Sequence, residues 1–100
     1  MSWAKHAIEK LKKGEEVQIR PRGNSMTGKV NDGELVTLSP SSLDKLEKED
    51  IVLVRVKGRD YLHLIKAIDG ERYQIGNNRG GINGWVGLKS IYGKAIRVEP

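Results

Sequence analysis

Residues 51–68 read IVLVRVKGRDYLHLIKAI and decide the fold of this 100-residue chain. The run 51–56 is almost continuous β-branched and aliphatic sequence, which is typical of a well-buried strand. The turn 57–60 leads into a second apolar run at 61–68. Two such runs separated by a short polar segment with glycine indicate a β-hairpin.

The segments on either side of this hairpin also favour β structure. Strands are predicted at 17–20, 35–38, 72–76 and 91–98, with a tight turn at Asp69-Gly70. Residues 41–49 are a polar connection with one helical turn, and residues 77–84 are predicted to form a long glycine-asparagine loop. The sequence therefore predicts a small, mostly antiparallel β domain.

Only the first segment, residues 2–13, has the pattern of a helix. Ser2 can cap it, Gly14 can end it, and one apolar stripe recurs at helical spacing through Trp3, Ala7, Ile8 and Leu11. Such a stripe packs on its own domain, or alternatively on a partner groove or a membrane surface. One short helix is not a helix-turn-helix, so no DNA-reading unit of that kind is expected.

Composition limits what the chain can be. One hundred residues predict a single domain, 1–100, whose core must come from Val, Ile and Leu because Phe is absent. Cys is also absent, which excludes disulfides, thiolate nucleophiles and Cys-based metal sites and is compatible with a reducing cytoplasm. No apolar run approaches the length of a membrane span, and we expect a soluble, cytoplasmic protein without metal or cofactor.

The charge balance is basic. Eighteen basic and 13 acidic residues give a net charge of +5, which favours anionic partners such as nucleic acid. The most compact basic group comprises Lys5, Lys10, Lys12 and Lys13, with Arg20 and Arg22 shortly after. The alternative interpretation is an ordinary solvated surface.

One serine and one histidine stand out as candidate catalytic residues. Ser25 lies in the turn Gly23-Asn24-Ser25-Met26, where glycine permits unusual backbone angles and the hydroxyl is exposed. His63 alternates with Tyr61 and Ile65 on one face of its strand, and partial burial there would lower its pKa and keep it neutral. A hydroxyl needs such a base to attack at neutral pH. The spacing alone favours the alternative of a turn serine with a local hydrogen bond, and the alternative for His63 is a buried structural histidine.

Several short motifs follow one another in a definite order along the chain. A Ser-Met box at 25–26 is followed by Asp-Gly at 32–33, Asp-Ile-Val at 50–52 and Tyr-Leu-His at 61–63. Ile-Gly-Asn-Asn at 75–78 and Ile-Tyr-Gly-Lys-Ala at 91–95 complete a series that covers roughly residues 17–98. This order resembles that of the LexA and signal-peptidase superfamily of serine peptidases. The base is His in the branch that contains the endoplasmic-reticulum and archaeal signal peptidases, and this chain is similar to that branch.

The resemblance implies a partly barrel-like β domain and a set of roles. Ser25 would be the nucleophile and His63 the base, and the loop after Asn78 would orient the imidazole. Residues 76–88 contain no Asp or Glu, so Asn83 stands nearest the expected place of the family's acid. The oxyanion and substrate would be bound around Asn24 and Met26, with Asn77 and Asn78 contributing.

Two functions are compatible with these features. The first is a serine peptidase-like domain that binds or cleaves peptide segments, with an extended peptide added to an exposed strand edge. The upstream segment lacks the Ala-Gly or Cys-Gly dipeptide at which LexA-type proteins cleave themselves, so self-cleavage is not expected. The second is a catalytically inactive binding module, with nucleic acid as the partner. For that partner, the segment from Asn77 to Trp85 offers Arg79 and a flat aromatic ring; alternatively this loop is purely structural and Trp85 anchors it in the core.

Overall fold

The computed structural model describes residues 3–100, apart from the side chain of Ser42. These residues form one α-helix, two short 3-10 helices (Ser41–Asp44 and Leu88–Ser90) and seven strands. The α-helix and the strands are α1 (Lys5–Lys12), β1 (Val17–Ile19), β2 (Leu35–Ser39), β3 (Ile51–Val56), β4 (Arg59–Asp69), β5 (Arg72–Gly76), β6 (Ile82–Gly87) and β7 (Ile91–Glu99).

All seven strands join one antiparallel sheet in the order β1-β2-β7-β3-β4-β5-β6. The sheet curls into a half-barrel, so the predicted mostly β, partly barrel-like fold with one N-terminal helix is confirmed. The last strand, β7, does not close the sheet at an edge but lies between β2 and β3. The edges are therefore β1 and β6, which lie at opposite ends of the sheet.

The β3–β4 hairpin is tighter than the predicted turn at 57–60. Lys57 and Gly58 have φ of 51° and 80° and form a two-residue turn with both central residues in the left-handed region. Arg59 and Asp60 already belong to β4, where they pair with Val56 and Arg55. This register places His63 opposite Val52.

Two apolar layers pack on the two faces of the sheet because side chains alternate along each strand. Leu53, Leu62 and Leu64 face α1, whose buried residues are Ala7, Ile8 and Leu11. The other layer is formed by Val52, Val54, Val56, Ile65, Ile75 and Ile91. The predicted separation of Leu62 and Leu64 from Tyr61 and Ile65 is confirmed.

Helix α1 is held against the sheet by a close approach at Gly93. A Cβ atom at Gly93 would lie 2.9 Å from both methyl groups of Leu11, so a larger residue at this position would force the buried Leu11 side chain to shift. Gly14 ends the helix as predicted, with φ of 82° and its N–H donating to Leu11 O at 3.0 Å. Trp3 precedes the helix and is 53% exposed, so its predicted place in the buried stripe is wrong. The predicted cap at Ser2 lies outside the described residues.

The segment 77–84 is only partly a loop, which corrects the sequence prediction. Residues 82–87 form β6 and pair with β5, because the glycines and asparagines that suggested a loop still allow extended backbone. Trp85 is 40% exposed on this edge strand, so the alternative that made it a core anchor is wrong. Among residues 3–100, no helix is long and apolar enough to cross a lipid bilayer.

Candidate functional site

Ser25 lies in an exposed turn that is fixed to the core through its neighbour. Met26 is 5% exposed and packs beneath the turn with Val30. Gly23 has φ of 109°, and its N–H donates to Asp32 Oδ1 at 2.7 Å. The Thr27 N–H and hydroxyl donate to Asn24 O at 3.2 and 2.8 Å. The hydroxyl of Ser25 is thus presented to solvent on a hydrogen-bonded scaffold.

The backbone around Ser25 leaves several donors without a partner. Within residues 3–100, the N–H groups of Asn24, Ser25 and Met26 donate to no acceptor, whereas those of Thr27 and Gly28 are satisfied inside the turn. N–H groups without a protein acceptor near a hydroxyl are available to stabilise an anionic oxygen.

The loop that follows β5 is tied to the Ser25 turn through Asn78. The Asn78 N–H donates to Ser25 O at 2.9 Å, and its Nδ2 donates to Thr27 O at 2.7 Å. Asn77 instead organises its own loop, since its Oδ1 accepts from the N–H groups of Arg79 and Gly81 at 2.8 and 2.9 Å. Both side chains contact protein groups, and their suggested contact with substrate stays a prediction.

His63 is buried on its strand, as predicted. It is 7% exposed, and the ring of Tyr61 stacks on the imidazole with 4.8 Å between ring centroids and an interplanar angle of 25°. This packing leaves the imidazole few orientations, and the hydrogen bond to its Nδ1 then selects one tautomer.

The acceptor of that hydrogen bond is Asn83, which was predicted to orient the imidazole. His63 Nδ1 and Asn83 Oδ1 are 2.6 Å apart. Because an amide oxygen can only accept, Nδ1 carries the proton and Nε2 is left with a lone pair. A neutral imidazole in this tautomer can accept a proton at Nε2.

A β-bulge directs Asn83 toward the imidazole. Gly84 pairs with Ile75 and Ile82 pairs with Gly76, so Asn83 has no partner on β5. Such an extra residue re-aims its side chain and increases the local twist. Gly84 has φ of 144°, a conformation that favours glycine and accommodates this bulge.

The environment of His63 lowers its pKa below the ordinary value of 6.5. Burial is the larger cause because it disfavours the charged imidazolium, and the hydrogen bond to Asn83 opposes it by favouring the protonated ring. His63 is therefore neutral at pH 7.

Ser25 and His63 line the same cavity, which has a volume of about 360 Å³. Met26, Val30 and Leu62 form part of its wall. Within the described part of the chain, no hydrogen bond joins Ser25 Oγ to His63. Asn24, Asn77, Asn78 and Asn83 do not line the cavity, and of these Asn83 reaches the site through His63.

Within residues 3–100, no strand pairs with the edge of β4 that lies beside the cavity. In an antiparallel hairpin, every second pair of opposite residues exchanges hydrogen bonds, and after a two-residue turn these pairs are 56–59, 54–61 and 52–63. Asp60 and Leu62 belong to the other pairs, so their N–H and C=O groups point away from β3. The pairing of β5 with β4 ends at Leu64 opposite Gly76. Asp60 and Leu62 thus present free backbone groups beside the cavity that both residues line.

Sequence reasoning missed most of the other residues that line the cavity, among them Trp3, Arg20, Arg22, Val30, Asp60 and Leu62. Trp3 was predicted to belong to the apolar stripe of the helix, and Arg20 to a general basic surface. No local sequence pattern links residues 3, 20 and 60. They come together only in the tertiary structure, through the sheet topology and the packing of α1.

No protein-family model matches this chain, and no curated protein is similar to it in sequence.

Proposed function

We propose that this protein is a serine peptidase-type domain that acts on extended peptide segments. Ser25 is the nucleophile, His63 is the general base, and Asn83 is a positioning residue. The observation that carries the proposal is the His63–Asn83 hydrogen bond of 2.6 Å, which holds Nδ1 protonated in a histidine that shares a cavity with Ser25.

The proposed reaction follows from these groups. Ser25 Oγ attacks the carbonyl carbon of the scissile peptide bond while His63 Nε2 takes the hydroxyl proton. The resulting imidazolium gives that proton to the leaving amine, and the C–N bond breaks to leave an acyl ester on Ser25. Water, deprotonated by His63, then attacks the ester and releases the carboxylic acid and the free serine.

The backbone around Ser25 supports this chemistry. The unpaired N–H groups of Ser25 and Met26 are candidates for the oxyanion site, because preorganised donors stabilise the charge that develops on the carbonyl oxygen. Removing one such donor from an enzyme typically costs about 2.7–4 kcal/mol of transition-state stabilisation.

Substrate binding is proposed at the free edge of β4. An extended peptide would pair with the N–H and C=O groups of Asp60 and Leu62 and so lie across the cavity in front of His63. Main-chain pairing of this kind gives affinity with little sequence selectivity. Side chains of the cavity wall would then determine which peptide sequences bind.

Labelling with a fluorophosphonate probe tests the proposal, because this probe reacts with activated serines. Wild type should be labelled, Ser25→Ala should not, and His63→Gln should be labelled far more slowly. Ser90→Ala, a serine that does not line the cavity, serves as the matched control and should behave as wild type. Equal labelling of all four proteins, or of none, would show that the dyad does not work.

The second candidate is an inactive module that binds nucleic acid. Its support is the net charge of +5 together with exposed Arg79 and Trp85, which is 40% exposed on edge strand β6. Binding to single-stranded oligonucleotides should then weaken steeply as salt rises, and Trp85→Ala should reduce it. Absence of binding at low salt would remove this candidate.

A further inference from the structure

We infer that the cavity beside Ser25 selects peptide segments in which an apolar side chain stands next to an acidic one. The inference rests on the proposed function, since it names the substrate class of the same site. Its support comes from the composition of the cavity wall and from the arginines at its rim.

The wall nearest the turn is apolar. Met26, Val30 and Leu62 are 5%, 2% and 6% exposed and turn apolar surface toward the cavity, and Trp3 adds an indole that is 53% exposed. Ligand pockets are usually about 300–1,000 Å³, so a cavity of about 360 Å³ suits a short peptide segment with one large side chain. Burial of an apolar side chain against this wall is favourable because it also covers the indole.

The rim carries positive charge that the carboxylates of residues 3–100 neutralise only weakly. The guanidinium of Arg20 donates from Nη1 to the carbonyl oxygen of Gly33 at 2.8 Å, and within residues 3–100 no carboxylate lies within 4.0 Å of it. Arg22 lies 4.0 Å from Asp32 Oδ2 with its side chain 80% exposed. An exposed pair at that distance holds the arginine only weakly.

The acidic residue of the cavity is already neutralised. Asp60 lines the cavity, but Arg55 Nε and Nη2 donate to its two carboxylate oxygens at 2.8 and 3.1 Å, and the Asp60 side chain is only 8% exposed. The charge left available at the rim is therefore that of Arg20, which has no carboxylate partner within residues 3–100, and that of Arg22, whose pair with Asp32 is exposed to solvent. An acidic side chain of the ligand complements it, and a basic one is repelled.

Matched peptides test the inference. The pair is Ac-Ala-Leu-Glu-Ala-amide and the same peptide with Lys in place of Glu. Binding is read from the fluorescence of Trp3 in the variant Trp85→Phe, which leaves Trp3 as its one tryptophan. The Glu peptide should bind about 1.4-fold to fivefold more tightly than the Lys peptide, the range for an exposed charge pair, and the difference should shrink at high salt. Adding Arg22→Glu should reverse the preference.

Arg72→Glu is the matched control. It makes the same charge change at an exposed residue that does not line the cavity, and it should leave the preference unchanged. Normal fluorophosphonate labelling with no preference between the peptides would overturn the inference and leave the proposed function standing. Failure of both labelling and peptide binding would overturn both. A single-stranded oligonucleotide could also displace the Glu peptide. If Arg22→Glu weakens oligonucleotide binding as much as it weakens binding of the Glu peptide, the rim is a phosphate site, which would contradict the inference.

Discussion

The amide of Asn83 limits the basicity of His63. Replacing this amide by a carboxylate tests whether the group that faces His63 Nδ1 controls the reactivity of Ser25. Asn83→Asp places a negative charge where Oδ1 now lies 2.6 Å from His63 Nδ1. An opposite charge at this range typically raises a pKa by about 1–3 units, which corresponds to about 1.4–4 kcal/mol of imidazolium stabilisation. Since imidazolium forms as Ser25 attacks, labelling at pH 8 should become at least about tenfold faster.

Asn83→Ala provides the opposite change. It removes the acceptor and leaves the buried Nδ1–H unsatisfied, which typically costs about 1–3 kcal/mol of folding stability. Because the tautomer of His63 is then no longer fixed, labelling should slow. The assay is the fluorophosphonate labelling rate as a function of pH, with the His63 pKa followed by NMR. In wild type the rate should rise with a midpoint below pH 6.5, because the pKa of His63 is lowered, and in Asn83→Asp the midpoint should move upward. If both variants keep the wild-type rate and midpoint, Asn83 has no part in the chemistry.

Three further outcomes are expected. Asn78→Ala removes the Nδ2 bond to Thr27 O but keeps the main-chain bond to Ser25 O, so labelling should slow while the thermal midpoint changes little; an unchanged labelling rate would contradict this. Gly93→Ala forces a Cβ to 2.9 Å from the Leu11 methyls and should destabilise the fold by about 1–3 kcal/mol in urea, whereas Gly87→Ala, with open space around it, should not. Because the pKa of His63 is lowered on folding, the unfolded chain binds the proton of this residue more tightly than the folded chain does. The free energy of unfolding should therefore be highest above pH 6.5 and fall as the pH drops through the folded pKa. His63→Gln should reduce this fall, and equal slopes of unfolding free energy against pH in both proteins would refute the burial argument.

Local sequence patterns predicted much of the fold. The apolar run of β3 and the alternation of β4 were sufficient to place the hairpin and to separate Leu62 from His63. The strand β6 was missed because its glycines and asparagine are poor strand formers, and pairing with β5 outweighs that local preference. The position of β7 between β2 and β3 was also beyond reach, since it is set by long-range pairing.

Part of the candidate site was also predicted from the sequence, and part of it was not. Ser25, His63 and Asn83 were proposed from ordered motifs, and the structure places Ser25 and His63 on one cavity and joins His63 to Asn83. The bulge that aims Asn83 has no local signature, because it depends on the register between β5 and β6. Trp3 and Arg20 reach the cavity only through the packing of α1 and the β1–β2 connection around it.

The residue that a fluorophosphonate modifies identifies the nucleophile. After reaction with a fluorophosphonate, trypsin should release residues 23–29, which follow Arg22 and end at Lys29 and which contain Ser25. Mass spectrometry should find the phosphonyl adduct on Ser25 in wild type and only slow formation of it in His63→Gln. An adduct on another residue, or one that forms on Ser25 at the wild-type rate without His63, would contradict a Ser25–His63 dyad.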